Sequence, residues 1–419
     1  MTALPRKTPA VFYRGGTSKA VFFKAEDVPE NIEERDTMLR AVMGSPDPYG
    51  RQLDGLGGGI SSLSKAMWVK KSTRNDADVD YTFAQVGIRD GVIDLSSNCG
   101  NMTSTVGPFG IEEGIFPLPD GPAMVRMFNT NTNKIVHAHF TIQDGRAVST
   151  GDMEIPGVSG TGAPMRLDWM DPAGTAGRGV LPTGKAQETF SAPGFGEFPG
   201  SIVDAAAVCV YIPASVFGLT CAESPMAIDA MPEVMAAMEH VRRDAAVRAG
   251  MAETPEAAAQ AAPRVALIAP PVPYKTLAGT EIRADEYNIA VRVASMENIH
   301  RAVQVTGAMS ISAGLVVEGT LLNEMAVDLD TSEDLKIGNH MINARAETIE
   351  AAWGRPAGDG RQLLPRIDGH DGFFYARFCP HLPPSVLPSL PPRGKPCYVE
   401  VSSVFEDLEV FRTSVNRPS

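Results

Sequence analysis

The chain contains the same short pattern twice. Residues 99–107 read CGNMTSTVG and residues 306–314 read TGAMSISAG, a separation of 207 residues in a chain of 419. Glycine, methionine, two hydroxyl residues and a final glycine fall at matching positions, and DYTFAQVGI and EYNIAVRVA precede the two copies at similar distances. We therefore predict two similar halves, each of which places the beginning of one helix at a shared cleft.

The pattern of strands and helices predicts an α+β fold of two pseudo-symmetric halves, each a curled sheet around a central helix. Apolar runs around glycine turns, such as AVFYRGGTSKAVFF, predict hairpins. Helices are predicted at 31–43, after Cys99 and at 225–250. The predicted N-terminal half comprises residues 1–152 and about 400–419, because the strand near VFRTSV returns to it. The predicted C-terminal half, with the Thr306 helix, is 153–399.

Composition restricts the partner to a small molecule. The net charge of −13 disfavours nucleic acid and anionic membranes. Five cysteines without a CxxC motif, and no apolar run long enough to cross a bilayer, predict a reduced, cytoplasmic protein. His137 and His139 have no acidic or thiol partner nearby in sequence, and we predict no metal site there.

Cys99 stands directly before a predicted helix, between Asn98 and Gly100. Free N–H groups at a helix start stabilise anions and lower the pKa of a cysteine. A thiol, an anion-binding turn and polar amides suit proton transfer at a carbon next to a carboxylate. The alternative is that Cys99 is a small buried hydrophobic residue, as free cysteines often are.

The second copy of the pattern restricts the type of proton transfer. A two-base racemase needs a thiol on each side of the carbon, but Thr306 occupies the matching position and is a far weaker acid. A reaction that removes a proton at one carbon and returns it at another fits better. This is an allylic double-bond shift or a tautomerisation, which needs a second group.

A lysine is the best candidate for that group. The loop GLGGGISSLSKA can bind an anion through successive backbone N–H groups, and it leads through Ser61 and Ser62 to Lys65 before the apolar AMWV. A lysine at the start of an apolar strand is desolvated, which lowers its pKa towards that of a usable base. The alternative is a solvated surface lysine.

A third loop, YRGGTSKA, adds donors for carboxylates. Arg14 can bind a carboxylate through two parallel hydrogen bonds, and Thr17, Ser18 and Lys19 surround the Gly-Gly turn. The alternative is a plain hairpin turn with a charged tip. We predict Lys65 and Cys99 as catalytic residues, with the base left open between them. The predicted substrate-binding residues are Arg14, Thr17, Ser18, Lys19, Ser61, Ser62, Asn101, Met102, Lys275, Thr306, Gly307 and Ala308.

The ordered set RGGTSKA, QLDGLGGGISSLSK, DVDYTFAQV, NCGNMTSTVGPF, GTGAPMRLDWMDPAG and FRT spans nearly the whole chain. It resembles the PrpF family of cofactor-independent isomerases, which have the diaminopimelate-epimerase fold. The family includes 2-methylaconitate, 3-methylitaconate and aconitate isomerases and 4-oxalomesaconate tautomerase. The resemblance implies that Lys65 and Cys99 flank an unsaturated di- or tricarboxylate, with no metal or organic cofactor and the lysine as the favoured base.

Four functions therefore remain to be compared. The first is the isomerase of unsaturated polycarboxylates, such as methylaconitate, aconitate or methylitaconate. The second is a 4-oxalomesaconate-type tautomerase, the third a two-base racemase, and the fourth a non-catalytic accessory protein of an aconitase-like enzyme. The sequence leaves open the particular polyacid and the oligomeric state, for which a homodimer is one alternative.

Overall fold

The computed structural model describes residues 8–155 and 158–329, and then the strands at 334–338, 343–347, 362–370, 373–381 and 399–400. The described chain divides into two compact units, one built on residues 8–153 with 160–165 and the other on 166–400 with the short segment before 160. The strand expected near VFRTSV lies outside the described residues. The predicted domain boundaries, with residues 400–419 in the first half, stay a prediction.

The first unit is a sheet with three helices. Its strands are β1 (Val11–Gly15), β2 (Ser18–Lys24), β3 (Lys65–Lys71), β4 (Val79–Val86), β5 (Ile93–Asp94), β6 (Gly121–Asn129), β7 (Lys134–Gln143) and β8 (Arg146–Ala147). Its helices are α1 (Ile32–Met43), α2 (Gly100–Thr103) and α3 (Val106–Glu112). The short strands β9 (Met153–Glu154) and β10 (Thr161–Gly162) follow.

Strand pairing in this sheet alternates in direction. β1 and β2 are antiparallel, β2 and β3 parallel, β3 and β4 antiparallel, β4 and β6 parallel, and β6 and β7 antiparallel. The helices α2 and α3 pack against strands from β1 to β8. A sheet whose first and last strands both reach the same helical segment must curl around it.

Helix α1 begins and ends where the sequence predicts. The side chain of Asn31 accepts a hydrogen bond from the backbone N–H of Glu34 at 3.1 Å, which caps the helix start. Gly44 follows in the left-handed conformation, with φ of 73°, and stops the helix. Met38, Leu39 and neighbouring apolar residues pack it against β2, β3 and β4.

The second unit contains the remaining elements. Its strands are β11 (Arg166–Trp169), β12 (Glu188–Ala192), β13 (Gly196–Asp204), β14 (Val208–Pro213), β15 (Arg264–Ala269), β16 (Tyr274–Lys275), β17 (Glu281–Ile282), β18 (Ile289–Ser295), β19 (Asn298–Ile299), β20 (Asp334–Gly338), β21 (Asn343–Glu347), β22 (Gln362–His370), β23 (Phe373–His381) and β24 (Val399–Glu400). Its helices are α4 (Pro225–Asp229), α5 (Pro232–Arg248), α6 (Val305–Val316) and α7 (Leu321–Met325).

The second unit repeats the pairing of the first. β13 and β14 are antiparallel, β14 and β15 parallel, β15 and β18 antiparallel, β18 and β20 parallel, and β20 and β21 antiparallel. Helix α6 is buried from Val305 to Leu315 and packs against β13, β14 and β21 to β23. The duplication read from the sequence is therefore present as a repeated order and direction of strands.

The helix predicted over 225–250 is two helices. Ser224 caps α4 by accepting a hydrogen bond from the N–H of Ala227, and α4 ends at Asp229. Pro232 then starts α5, because proline lacks the N–H that a continuous helix would need there. Among the described residues, none of the helices is long and apolar enough to cross a membrane.

Candidate active site

The predicted site residues of the first unit gather at one edge of its sheet. β2 begins at Ser18 and β3 begins at Lys65, and the two strands are parallel. Since Val21 pairs with Ala66, Lys65 lies beside Ala20, two residues from Ser18. The starts of parallel strands lie at the same edge. The loops before β2 and β3 therefore supply their side chains to one region.

Lys65 is buried, with only 6 % of its surface exposed. Its amine donates a hydrogen bond to Oε1 of Gln85 at 2.6 Å, and its Nζ lies 5.0 Å from the centre of the Phe83 ring. Both partners are on β4, directly beside β3. The alternative reading of Lys65 as a solvated surface lysine does not fit this burial, because both contacts are made inside the unit.

The amide of Gln85 is held in one orientation. Its Nε2 donates to the carbonyl oxygens of Ser61 at 3.0 Å and Ser64 at 2.8 Å. Since those carbonyls accept only, the amide nitrogen must face them and the amide oxygen must face Lys65. A neutral oxygen accepts a hydrogen bond from a protonated or a neutral amine, so this contact is compatible with both states of Lys65.

A second buried glutamine organises the glycine-rich loop. Gln52 has a φ of 52° and is 1 % exposed. Its side chain donates to the hydroxyls of Ser45 and Ser64 at 2.8 and 2.7 Å and accepts from the N–H of Gly59 at 3.0 Å. The two glutamines thus meet at Ser64, the residue before Lys65. Ser61 and Ser62 follow the loop and are buried.

Cys99 immediately precedes α2 and is 8 % exposed. Its backbone N–H donates to Oδ1 of Asn98 at 2.7 Å, and its carbonyl accepts from the Thr103 hydroxyl at 3.0 Å. Asn98 in turn donates to the Tyr81 hydroxyl at 3.3 Å. Burial raises the pKa of Tyr81 to about 12, so its phenol stays neutral at ordinary pH. These bonds fix the backbone on both sides of the thiol.

Asn101 joins the helix start to the hairpin between β1 and β2. Its Nδ2 donates to the hydroxyls of Thr17 at 2.9 Å and Ser18 at 3.2 Å. Its Oδ1 is buried and has no hydrogen-bond partner within the described part of the chain. The backbones of the hairpin and of α2 approach each other closely at Gly15, because a Cβ added there would lie 2.3 Å from the Asn101 carbonyl oxygen. Met102, the other substrate-binding residue predicted in α2, is fully buried.

The two cations of this hairpin are partly buried. Arg14 donates from Nη1 to the carbonyl of Gly16 at 2.8 Å, which folds its side chain back over the turn. Lys19 on β2 pairs with Arg14 on the antiparallel strand β1, and its Nζ is 5.2 Å from the centre of the Phe12 ring. Arg14 and Lys19 pair across the two strands and share one face of the hairpin, whereas Ser18, the residue before Lys19, points to the other face.

The candidates of the second unit fall into two places. Thr306, Gly307 and Ala308 are buried in the first turn of α6, and the hydroxyl of Thr306 accepts a hydrogen bond from Nη1 of Arg264 at 2.8 Å. Lys275 lies in the exposed hairpin of β16 and β17 and pairs with Glu281 at 3.1 Å. Thr306, Gly307 and Ala308 thus lie together at the start of α6. Lys275 is not with them but on the exposed hairpin.

The residues that hold the candidates in place were not among those predicted from the sequence. Gln85 is a buried polar residue in the largely apolar strand VDYTFAQV, and this signal marks it as a partner for another buried polar group. Arg264 carries a similar signal, since it opens the buried run RVALIA. No comparable signal marks Gln52, which lies in a polar loop.

The sequence of the chain is similar to those of several isomerases. The family model described as PrpF protein matches residues 5–350. A 2-methyl-aconitate isomerase of Cupriavidus necator is 35% identical over 371 residues, which covers 84% of this chain and 93% of that protein. A 3-methylitaconate isomerase of Eubacterium barkeri is 36% identical over 337 residues, covering 80% and 88%. A (4E)-oxalomesaconate Delta-isomerase of Novosphingobium is 33% identical over 319 residues, covering 76% and 83%.

A solved structure supports the fold. The crystal structure of a methylitaconate-delta-isomerase matches with a TM-score of 0.64 and 31% sequence identity, over 96% of this chain and 97% of that chain. The predicted α+β, diaminopimelate-epimerase-like fold with curled sheets is confirmed.

Proposed function

Because this chain belongs to the PrpF family, as its ordered motifs predicted, we propose that it is an isomerase that shifts a C=C bond in an unsaturated di- or tricarboxylate. The proposed substrates are methylaconitate, aconitate and methylitaconate, and the reaction uses no organic cofactor. The observation that carries the proposal is the buried amine of Lys65, bonded at 2.6 Å to the neutral amide of Gln85. An amine that is desolvated and faces a neutral acceptor is a suitable base near neutral pH.

In the proposed reaction, Lys65 takes a proton from a carbon α or γ to a carboxylate. The C–H electron pair enters the allyl system and gives a dienolate, whose negative charge collects on a carboxylate oxygen. The backbone N–H groups after Cys99 stabilise that oxygen. A proton then returns at the other end of the allyl system, from the Lys65 ammonium or from the Cys99 thiol, and the double bond has moved.

The proposed binding groups are side chains of the hairpin between β1 and β2, of the loop before β3 and of the segment after Cys99. Arg14 and Lys19 supply positive charge, and Ser18, Ser61, Ser62 and Asn101 supply hydrogen bonds. A protein of net charge −13 attracts a polyanion only where such local positive groups overcome the overall field.

A second candidate is a tautomerase of the 4-oxalomesaconate type. The (4E)-oxalomesaconate Delta-isomerase is 33% identical to this chain, close to the 35% of the 2-methyl-aconitate isomerase. Both reactions move a proton along a conjugated polycarboxylate, so the same pair Lys65 and Cys99 serves either.

The test uses solvent exchange and isomerisation together. The purified protein is incubated in deuterium oxide with 2-methylaconitate, aconitate, 3-methylitaconate and 4-oxalomesaconate, and proton NMR follows both label and product. We expect one or more acids to isomerise with deuterium uptake. Neither exchange nor isomerisation with any acid of the panel would contradict the proposal.

Single substitutions then assign the base. Lys65→Met should slow exchange by roughly 10²–10⁴-fold, the usual contribution of a positioned acid–base group. Cys99→Ser, which keeps a small polar side chain, should cost less. Wild-type exchange by Lys65→Met together with its loss in Cys99→Ser would instead make the thiolate the base and the lysine its electrostatic partner.

A further inference from the structure

One face of β4 supports both catalytic candidates of the first unit. Tyr81, Phe83 and Gln85 stand at alternate positions of that strand, so their side chains point to the same face. Gln85 and Phe83 contact the amine of Lys65. Tyr81 belongs to the hydrogen-bonded group beside Cys99. The placement of β4 relative to the chain before Cys99 therefore determines how the amine and the thiol stand to each other.

The turn between β6 and β7, residues 129–133 with the sequence NTNTN, links β4 to the chain before Cys99. The side chain of Asn131 accepts a hydrogen bond from the N–H of Phe83 at 2.8 Å and donates to its carbonyl oxygen at 2.8 Å. The same amide donates to the carbonyl oxygen of Leu95 at 2.9 Å. Leu95 directly follows β5, where the backbone pairing of β4 with β5 has ended. A side-chain amide thus links the two segments beyond the end of their backbone pairing.

Asn129, the first residue of the turn, makes a second link. It is fully buried, and its Oδ1 accepts hydrogen bonds from the N–H and the hydroxyl of Thr132 at 2.8 and 2.9 Å. Its amide nitrogen must therefore point away from the turn, and it donates to Oδ1 of Asn98 at 3.2 Å. That same oxygen accepts the N–H of Cys99 at 2.7 Å. Asn129 is thus connected to the backbone of Cys99 through one intervening amide.

An asparagine side chain suits both positions. Its amide carries a donor and an acceptor on a short stem, so it can bond to an N–H group and to a carbonyl oxygen at once. An aspartate would offer acceptors only, and a leucine would offer neither. The two amides also hold the segments together without adding a charge beside the groups that are proposed to exchange a proton.

We propose that Asn129 and Asn131 are positioning residues, which fix the distance between the two catalytic candidates. This inference rests on the proposed function, because it gives both asparagines a part in that proton transfer. A proton that leaves one carbon and returns at another requires both groups at fixed places, and a displacement of about 1 Å can cost roughly 10²-fold in rate. The hairpin of β1 and β2 is supported separately, by Asn101. Loosening the turn should therefore affect turnover more than binding.

The experiment separates turnover from binding in the full-length protein. With the acid that the wild type isomerises, Asn131→Ala should lower kcat by about 10- to 100-fold. KM and the inhibition constant of a saturated tricarboxylate should change by less than about threefold, because the binding groups stay in place. The matched control is Asn133→Gly in the same turn, since Asn133 is exposed and has a φ of 56°, which glycine adopts without strain. We expect the control to keep the wild-type kcat.

A second variant protects the test against misfolding. Asn129→Leu keeps the size of the side chain and removes the bond to Asn98. The Oδ1 of Asn98 then still accepts from the N–H of Cys99 and from the Thr103 hydroxyl, so it is not left unpaired. We expect kcat to fall at nearly constant KM in this variant also, even if Asn131→Ala does not fold, as judged by circular dichroism.

The outcomes are distinguishable. An active wild type whose kcat is unchanged in a folded variant overturns this inference and leaves the proposed function standing. A fall in kcat with an equal rise in KM and in the inhibition constant also overturns it, because the whole site is then damaged. Loss of the fold in both variants overturns it as well, since the asparagines then serve stability. A wild type that neither isomerises nor exchanges any acid of the panel overturns the proposed function, and with it this inference.

Discussion

Gln85→Glu tests whether Lys65 is the base. The substitution changes the side chain by one polar group and puts a carboxylate where the amide now accepts the Lys65 hydrogen bond at 2.6 Å. A negative charge at that distance favours the ammonium form of the lysine. We therefore expect the pKa of Lys65 to rise, so that the neutral amine forms only at a higher pH than in the wild type.

The magnitude follows from the distance. An opposite charge within about 4–6 Å moves a pKa by roughly 1–3, and the Gln85 contact is shorter than that. The rate of a base-catalysed step rises with pH through the pKa of the base, so a raised pKa moves the rise to higher pH. Each pKa unit corresponds to a tenfold change in the neutral fraction. At a fixed pH below both pKa values, the rate should fall by about 10- to 1,000-fold.

The assay is the pH dependence of kcat/KM, which reports the pKa of the free enzyme's base. The matched control is Gln85→Leu, because both substitutions remove the donor to the carbonyls of Ser61 and Ser64 and only Gln85→Glu adds a charge. We expect the glutamate variant to recover activity at alkaline pH. The leucine variant should lose activity without moving the profile to higher pH.

Two results would refute the reasoning. A profile that stays in place in Gln85→Glu would mean that Lys65 does not titrate in the reaction. The shift must also survive in a Cys99→Ser background, since a shift that disappears there belongs to the thiol.

Two further predictions concern the hairpin of the first unit. Arg14→Ala should raise KM by about tenfold or more, and the affinity of the wild type should fall with added salt, as a carboxylate contact requires; Arg74→Ala, at an exposed ion pair, should leave KM unchanged and is the control. An unaltered KM in Arg14→Ala would exclude a carboxylate contact. Gly15→Ala should lower the free energy of unfolding by about 1–3 kcal/mol in urea titrations, because its Cβ would lie 2.3 Å from the carbonyl oxygen of Asn101. Gly110→Ala, whose Cβ meets another atom only at 3.5 Å, should cost less; equal losses would contradict this packing argument.

The duplication, and several candidate residues at the starts of β2 and β3, could be predicted from the sequence because both depend on local patterns. Lys65 before an apolar run, and the hydroxyls of a Gly-Gly turn, indicate burial and donors without knowledge of the rest of the fold. The contact of Asn101 with Ser18 could not be predicted, since it joins residues 83 positions apart. The hydrogen bond of Lys65 to Gln85 depends on the register of two strands.

The position of Arg264 shows a different limit of sequence comparison. The repeated helix pattern aligns at a separation of 207 residues, but the starts of β3 and β15, residues 65 and 264, are separated by 199. The connections between strands and helices therefore differ in length between the halves. A single offset of 207 pairs Cys99, the residue before α2, with Thr306, the second residue of α6. It does not pair Lys65 with Arg264, and only the strand pairing shows that these two residues begin corresponding strands.

The two glutamines at Ser64 have a consequence for which substitutions the glycine-rich loop can tolerate. Gln52 and Gln85 secure the glycine-rich loop from its inner side, through Ser64 and its carbonyl, with uncharged groups. The chain just before the loop carries Tyr49 and Leu53, which are 84% and 73% exposed. Substitutions at these two exposed positions therefore add no charge beside the buried amine of Lys65. The loop therefore separates an uncharged interior, which leaves the state of the Lys65 amine undisturbed, from a surface whose side chains can change.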